Sequence, residues 1–253
     1  MLSNKEIEKI ENKYLNKFYH FMKFVEDEMM DGFQTKEKIK NDWIGKYKTK
    51  ISNFSVGAER IIYALFNGKG VGQPNSCPVG SDMFFEVKDA FIHIDLKTVQ
   101  TRNIGDITKS IFVGKNQNSY KGKMIVNTNK KNISKIKRDY IPSLPTFYNK
   151  GNKNEKICLS YFITILYEDR NLNILNINII CMPNGELEKH YKTKVLQAGK
   201  NPDKTRFRFT EIPNFELLKN NQKRIKVVYF DEEMKEEYKK KLNFYNKIYK
   251  IQK

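Results

Sequence analysis

Residues 80–100 read GSDMFFEVKDAFIHIDLKTVQ. Apolar residues alternate with others in this stretch, and successive side chains of a strand point to opposite faces, so the pattern predicts a β-hairpin with one face against a core. The turn is predicted at Lys88 and Asp89, which pairs Val87 with Ala90. The stretch also carries three ionisable residues where a plain strand would gain nothing from them: Asp82, Asp95 and Lys97.

The second strand of the predicted hairpin divides its side chains between two faces. The face predicted to contact the core carries Ile92, Ile94 and Leu96. The other face carries Asp95, and counting back from the turn sets Asp82 directly opposite, with Cβ atoms ~4.5–5.5 Å apart. Two carboxylates this close repel each other unless one is protonated or a cation lies between them. Hard divalent cations such as Mg2+ prefer oxygen ligands of this kind.

Lys97 lies on the same face as Asp95, two residues further along the strand. An ammonium group at this position can neutralise charge that develops on a phosphorane, or orient an attacking water. The rival triplet in the hairpin, Glu86–Val87–Lys88, lacks an acidic residue one strand earlier, because none occurs between Glu59 and Asp82. The arrangement around Lys97 therefore predicts hydrolysis of a phosphodiester bond.

The net charge of the chain indicates which polymer contains that bond. There are 47 Lys and Arg residues against 29 Asp and Glu residues, a formal net charge of +18. Such an excess attracts polyanions over long range, so nucleic acid is the expected partner. The alternative is an AT-rich genome, which enriches Lys, Asn and Ile whatever the function.

The sequence GSD at 80–82, followed by DLK at 95–97 on an apolar strand, resembles the PD-(D/E)XK nuclease superfamily, and in overall form a type II restriction endonuclease. The resemblance covers roughly residues 55–100, and Ser81 stands where the motif has proline. It implies an α/β fold whose central mixed β-sheet is flanked by helices, and cutting of double-stranded DNA, usually as a homodimer.

The resemblance also implies roles for individual residues. Mg2+ would be bound by Asp82, Asp95 and the carbonyl of Leu96, with Lys97 as catalytic base or stabiliser. Members of the superfamily often add a carboxylate from the helix before the hairpin, and Glu59 is the candidate by position. Gln100 is a weaker candidate for this further site residue.

Two further segments are candidates for DNA contact. Residues 112–123 are rich in side chains that bond to bases and phosphates, and the candidates there are Lys115, Asn116, Gln117, Asn118, Ser119 and Tyr120. Asn116 and Gln117 are the leading base-reading candidates, and a solvated loop is the alternative. Arg206 and Arg208 share one face of a predicted strand, which suits an edge strand or a ribbon against phosphates, although exposed Arg on an edge strand is also ordinary.

The pattern of the chain predicts one nuclease domain over residues 1–253, with a helical region at about 1–50 and DNA-contacting insertions at about 112–156. Helices are predicted at 4–31, 35–47, from Ser55 and towards the C-terminus; strands are predicted at 157–168, 172–182, 206–210 and 224–230. The polar tract 114–156 is expected to form long loops and short elements.

Several classes of protein are not indicated. The three cysteines, Cys77, Cys158 and Cys181, form no C-x-x-C pair, so neither a disulfide framework nor a zinc site is expected and a reducing cytoplasm fits best. No membrane-spanning run and no nucleotide-binding phosphate loop is present in the sequence. The alternatives to a Mg2+-dependent, site-specific endonuclease are a junction resolvase or repair nickase of the same superfamily, and a non-catalytic basic nucleic-acid-binding protein.

Overall fold

The structure is a computed structural model that describes residues 2–34, 39–47, 52–75, 80–127, 135–199, 204–219 and 221–253. Its α-helices are α1 Asn4–Phe24, α2 Glu26–Phe33, α3 Lys40–Tyr47, α4 Ser52–Gly68, α5 Glu188–Tyr191, α6 Glu236–Lys241 and α7 Asn243–Gln252. Its strands are β1 Gln73–Pro74, β2 Met83–Glu86, β3 Ala90–Gln100, β4 Ile111–Val113, β5 Gly122–Asn127, β6 Lys135–Tyr140, β7 Phe147–Tyr148, β8 Lys156–Tyr167, β9 Ile174–Met182, β10 Leu196–Ala198, β11 Thr205–Phe207 and β12 Ile225–Phe230.

The main sheet has the strand order β1-β2-β3-β8-β9-β12, and β7 also pairs with β8. β3 and β8 run parallel, whereas the other pairs are antiparallel. Every residue of β9 is buried, as is β8 from Ile157 to Tyr167, because other elements cover both faces of these central strands. The predicted mixed α/β sheet is confirmed, as is the antiparallel pair formed by β8 and β9.

The N-terminal helix packs on this sheet through an apolar stripe. Ser3 and Glu6 form a capping box that satisfies free backbone N–H groups at the start of α1. Leu15, Phe18 and Met22 lie on the buried stripe, and the Phe18 ring meets the Tyr161 ring of β8 edge to face at 5.2 Å between centroids. Burying one such side chain contributes roughly 1.5–3 kcal/mol to stability.

The long helix predicted at 4–31 is instead two helices. Val25, between α1 and α2, has φ −103° and ψ 19°, outside helical geometry, and α2 continues to Phe33. The helix predicted at 35–47 is observed as α3, from Lys40; residues 35–38 lie outside the described residues. The helix predicted from Ser55 begins earlier, at Ser52.

The predicted hairpin is confirmed in register. Met83 pairs with Ile94, and the N–H of Val87 donates to the carbonyl of Ala90 (3.0 Å), which leaves Lys88 and Asp89 as the turn. Continuing this register by one residue sets Asp82 opposite Asp95. The expectation of one buried face was incomplete, because His93 and Asp95 on the other face are also buried.

Two smaller sheets lie outside the main one. The polar tract 114–156 contains the β5–β6 hairpin and β7, which are short elements of the kind predicted there. β11 is the middle strand between β10 and β4. The predicted edge position for the strand that carries Arg206 was therefore wrong. Among the described residues, no helix is long and apolar enough to cross a membrane.

Candidate active site

Asp95 lies at the centre of the candidate site, on β3 between β2 and β8, and is 3% exposed. Its Oδ1 accepts a hydrogen bond from Gln117 Nε2 (2.6 Å), and its Oδ2 forms an ion pair with Lys97. Burial raises the pKa of Asp95 to about 6; the Lys97 ammonium opposes this shift, and the carboxylates of Asp82 and Glu59 reinforce it. The site therefore disfavours the charged form of Asp95 unless another cation is supplied.

Asp82 lies just before β2 and is exposed. Its Oδ2 accepts the backbone N–H of Leu96 (2.6 Å), so the side chain takes the place of a strand partner where the β2–β3 ladder ends. The charge of Asp82 raises the pKa of Asp95 and of Glu59, which places the three carboxyl groups within electrostatic reach of one another.

Glu59 reaches this region from α4. It is half-buried, and burial raises its pKa, with a further contribution from Asp82. One turn earlier on α4, the hydroxyl group of Ser55 bonds to that of Thr98, which fastens the helix to β3.

Lys97 is the cation within this group of acids. Besides Asp95, its Nζ contacts Gln117 Oε1 (3.2 Å) and lies 5.6 Å from the centre of the Phe162 ring. Its side chain is 22% exposed, so the ammonium group lies near the surface of the site.

Gln117, a predicted base-reading residue, is placed inside the site by the structure. It is the last residue of a short 3-10 turn, Lys115–Gln117, and its Oε1 also accepts the N–H of Gly114 (2.8 Å). Its amide group is thus engaged by two charged side chains and one backbone group. No periodic signal in the sequence indicated this position.

The neighbours of Gln117 differ in exposure. Lys115 and Asn116 are exposed, whereas Asn118, Ser119 and Tyr120 are buried. Asn118 bonds to the Gly114 carbonyl (2.9 Å) and to the Tyr140 hydroxyl (2.8 Å). The hydroxyl groups of Ser119 and Tyr120 bond to backbone groups of Gly185 and Lys192. These three residues hold the segment in place.

The two arginines predicted to contact DNA are also engaged within the protein. Arg206 donates to Ser110 and Asp106 side chains and to the carbonyl groups of both residues, and it stacks 4.0 Å from the Phe112 ring centre. Arg208 bonds to the Thr193 carbonyl and lies 3.9 Å from Glu211. On the opposite face of this segment Phe207 and Phe209 are buried.

A polar and aromatic cluster lies beside the acids and was not predicted. His93 is buried, bonds to the hydroxyl groups of Ser81 (2.8 Å) and Tyr148 (2.9 Å), and stacks on Phe84. Burial lowers the pKa of His93 to about 4, so the ring is neutral at physiological pH. Because Ser81 precedes Asp82, this cluster fixes the backbone that leads into an acidic residue of the site.

The described residues contain no group of three or more His, Cys, Asp and Glu side chains arranged to hold a metal ion. The predicted metal site needs only two carboxylates and completes its ligands with a backbone carbonyl. Asp95 Oδ2 is buried, and the partner it has among the described residues is the Lys97 ammonium. A buried carboxylate oxygen of this kind is a suitable ligand for a hard cation.

The fold is that of type II restriction endonucleases. The solved structure of BglI bound to its DNA recognition sequence matches with a TM-score of 0.66 and 15% identity, over 90% of this chain and 93% of that one. The structure of tetrameric SfiI bound to cognate DNA matches with a TM-score of 0.67 and 14% identity, over 92% of this chain and 88% of that one.

The family follows from the sequence itself. Residues 3–171 match the N-terminal domain of the type II restriction enzyme MwoI, and residues 174–230 match its central domain. The chain belongs to the MwoI family of type II restriction enzymes and is a type II site-specific deoxyribonuclease. No curated protein matches the chain. The boundary between the two matches falls in the turn that joins β8 to β9, two strands paired in one sheet.

Proposed function

We propose that this restriction endonuclease cuts double-stranded DNA with Mg2+ held by Asp82, Asp95 and the carbonyl of Leu96. The observation that carries the proposal is the buried Asp95 carboxylate, which lies opposite Asp82 in the strand register and whose Oδ2 pairs, among the described residues, with the Lys97 ammonium alone. When bound, a divalent ion polarises the scissile phosphate and lowers the pKa of water.

The protein side chains have separate roles in this proposal. Asp95 and Asp82 supply oxygen ligands from the two strands of one hairpin. Lys97 places a positive charge where negative charge develops on the phosphate in the transition state. Glu59 supplies a further carboxylate from α4, whose raised pKa suits a group that accepts a proton.

For the DNA interface, we propose direct contact by Lys115 and Asn116, which are exposed on the turn next to the acids. Asn118, Ser119 and Tyr120 would act indirectly, by holding this turn, and Arg206 and Arg208 by stabilising the β10-β11-β4 sheet. The net charge of +18 supports DNA as the ligand.

We further propose that the chain is one nuclease unit that acts as a homodimer. β8 matches the N-terminal domain of MwoI and β9 its central domain, and the pairing of these two strands supports a single unit. A duplex has two strands to cut, and each chain carries one candidate site. The SfiI neighbour is tetrameric, so sedimentation of the protein with and without DNA is the measurement that distinguishes dimer from tetramer.

Cleavage of phage or plasmid DNA tests the function. With Mg2+ the wild-type protein should give discrete bands, and excess EDTA should abolish them. Asp95→Ala should lose cleavage but keep its affinity for DNA. Glu237→Ala is the matched control, because Glu237 begins another acid-x-Lys triplet on the exposed surface of α6. This variant should cleave DNA as the wild type does. Cleavage by Asp95→Ala at the wild-type rate would refute the assignment of the site.

A further inference from the structure

Gln117 contacts both members of the acid–lysine pair from a separate segment of the chain. Its Nε2 donates to Asp95 Oδ1 (2.6 Å), and its Oε1 accepts from Lys97 Nζ (3.2 Å). It comes from the 3-10 turn that follows β4, more than fifteen residues after β3 ends. The amide group therefore joins two charged groups of the site to a segment outside the catalytic hairpin.

The three partners of Gln117 allow one orientation of its amide group. The N–H of Gly114 and the Lys97 ammonium can only donate, so both require Oε1. The ionised Asp95 carboxylate can only accept, so it requires Nε2. A flipped amide would lose all three hydrogen bonds, which means that the side chain is held in a single state.

We propose that Gln117 is a positioning residue of the cleavage reaction, one that holds Asp95 Oδ1 and thereby presents Oδ2 to the metal ion. This inference rests on the proposed metal site at Asp95. The two carboxylate oxygens have different partners in the described part of the chain, because Oδ1 receives the Gln117 N–H group and Oδ2 pairs with the Lys97 ammonium. By accepting from Lys97, Gln117 also sets where the ammonium group lies.

The turn that carries Gln117 touches the second acid-bearing segment as well. Gly80, two residues before Asp82, lies against Asn116, and a Cβ atom on Gly80 would come within 2.1 Å of the Asn116 Nδ2. A side chain at position 80 would displace the Asn116 side chain. One short turn thus contacts the loop before Asp82 through Asn116, and contacts Asp95 and Lys97 through Gln117.

This arrangement connects DNA contact to the catalytic groups. Lys115 and Asn116, the proposed DNA contacts, are exposed on the same turn as Gln117. Asn118 and Tyr140 fasten the turn through the Gly114 carbonyl (2.9 and 3.0 Å). A DNA contact that shifts the turn would therefore shift the amide group against Asp95.

Binding of Mn2+ to the DNA-free protein tests the proposal, with the signal of free Mn2+ in electron paramagnetic resonance as the readout. Gln117→Met keeps the length of the side chain but removes its hydrogen bonds. Loss of a partner that orients a metal ligand typically lowers affinity or activity about 10- to 100-fold, and we expect that loss in Mn2+ affinity and in kcat. Gln197→Met, the same change at an exposed glutamine of β10, is the control.

The outcomes separate positioning from structural support. Unchanged Tm and metal-free DNA affinity, together with weakened Mn2+ binding, would support the proposal. Mn2+ affinity within threefold of the wild type would overturn it, as would a parallel loss of Tm and DNA affinity. If Gln117→Met does not fold, Gln117→Asn repeats the test, because its shorter side chain cannot reach both Asp95 and Lys97.

The same experiment includes Asp95→Ala to separate this inference from the proposed function. If Asp95→Ala still binds Mn2+ and cleaves DNA, the metal site itself is wrong. If Asp95→Ala loses both properties while Gln117→Met retains them, only the role of Gln117 fails.

Discussion

The carboxylate of Asp82 accepts the backbone N–H of Leu96, 2.6 Å away on the neighbouring strand. Leu96 thus orients the Asp82 side chain, one proposed metal ligand, through its backbone N–H. The carbonyl of the same Leu96 is another proposed metal ligand. The first acid and the end of the hairpin are therefore one structural unit, and the functional and structural parts of that unit can be separated by substitution.

Asp82→Asn and Asp82→Ala should differ in stability but agree in activity. The amide of Asn retains an oxygen for the Leu96 N–H, whereas Ala leaves that group without its partner, at a cost of about 1 kcal/mol in the free energy of unfolding. Both changes remove the charge and should abolish cleavage. Urea unfolding and a plasmid cleavage assay measure the two effects, and efficient cutting by Asp82→Asn would contradict the assignment.

Asp95→Asn should stabilise the metal-free protein at pH 8. The pKa of Asp95 is raised to about 6, so the folded state holds a proton that the unfolded state has lost between pH 4 and 6. The contribution of Asp95 to the free energy of unfolding therefore falls as pH rises from 4 to 6. Above that range the ionised carboxylate destabilises the folded state by about 1–3 kcal/mol. Thermal unfolding of the wild type and of Asp95→Asn at pH 8 and pH 4.5 measures this penalty. Equal stability of the two proteins at pH 8 would contradict the prediction.

Lys97→Met should lower kcat by at least about 100-fold, as is typical when a preorganised group that stabilises transition-state charge is removed. The matched control is Lys88→Met, because Lys88 ends the rival triplet at the exposed turn of the same hairpin. Single-turnover cleavage on saturating enzyme measures the chemical step. A stronger effect at Lys88 than at Lys97 would reverse the assignment of the active triplet.

Lys115→Gln and Arg206→Met should separate DNA contact from structural support. If Lys115 contacts a phosphate, its loss should reduce the slope of log affinity against log salt by ~0.9. Arg206 donates four hydrogen bonds within the protein, so its loss should lower the free energy of unfolding by about 2 kcal/mol and leave that slope unchanged. A reduced slope for Arg206→Met would show that the sequence-based assignment was correct.

Asp89→Asn should weaken the attachment of the hairpin turn to α1. Asp89 forms an ion pair with Lys13 (2.7 Å) and a hydrogen bond with the Tyr14 hydroxyl. Burial acts to raise the pKa of Asp89, but these partners outweigh it and lower the pKa. The stabilisation is therefore present above the ordinary pKa of Asp and lost as pH falls; for this partly exposed pair we expect about 0.5–1 kcal/mol at pH 7. Urea unfolding at pH 7 and pH 3.5 should show the difference shrink with acid.

The sequence predicted the hairpin well because its information is local. Alternating polarity determines which face is buried, and a two-residue turn at Lys88 and Asp89 determines the register, so the position of Asp82 opposite Asp95 followed from counting residues. The strands β8 and β9 were predicted for the same reason, as long apolar runs separated by a short turn.

The predictions for Gln117 and Arg206 show what sequence patterns could not predict. Both were read as exposed polar residues, because composition marks a segment as polar without indicating which of its side chains turn inwards. Arg206 is covered because β4, from a distant part of the chain, pairs with its strand. Gln117 lies in the site, where its amide group bonds to both Asp95 and Lys97 from a separate segment of the chain.

By itself, the sequence determined the alternation, the turn and the order of acid and lysine along β3, since these depend on strand periodicity and short-range backbone geometry. Tertiary structure alone decided that Gln117 and the His93–Tyr148 pair meet at that strand. Such contacts join polar groups far apart in the chain, and they form only when packing of the apolar core brings their backbones together, so no local pattern records them.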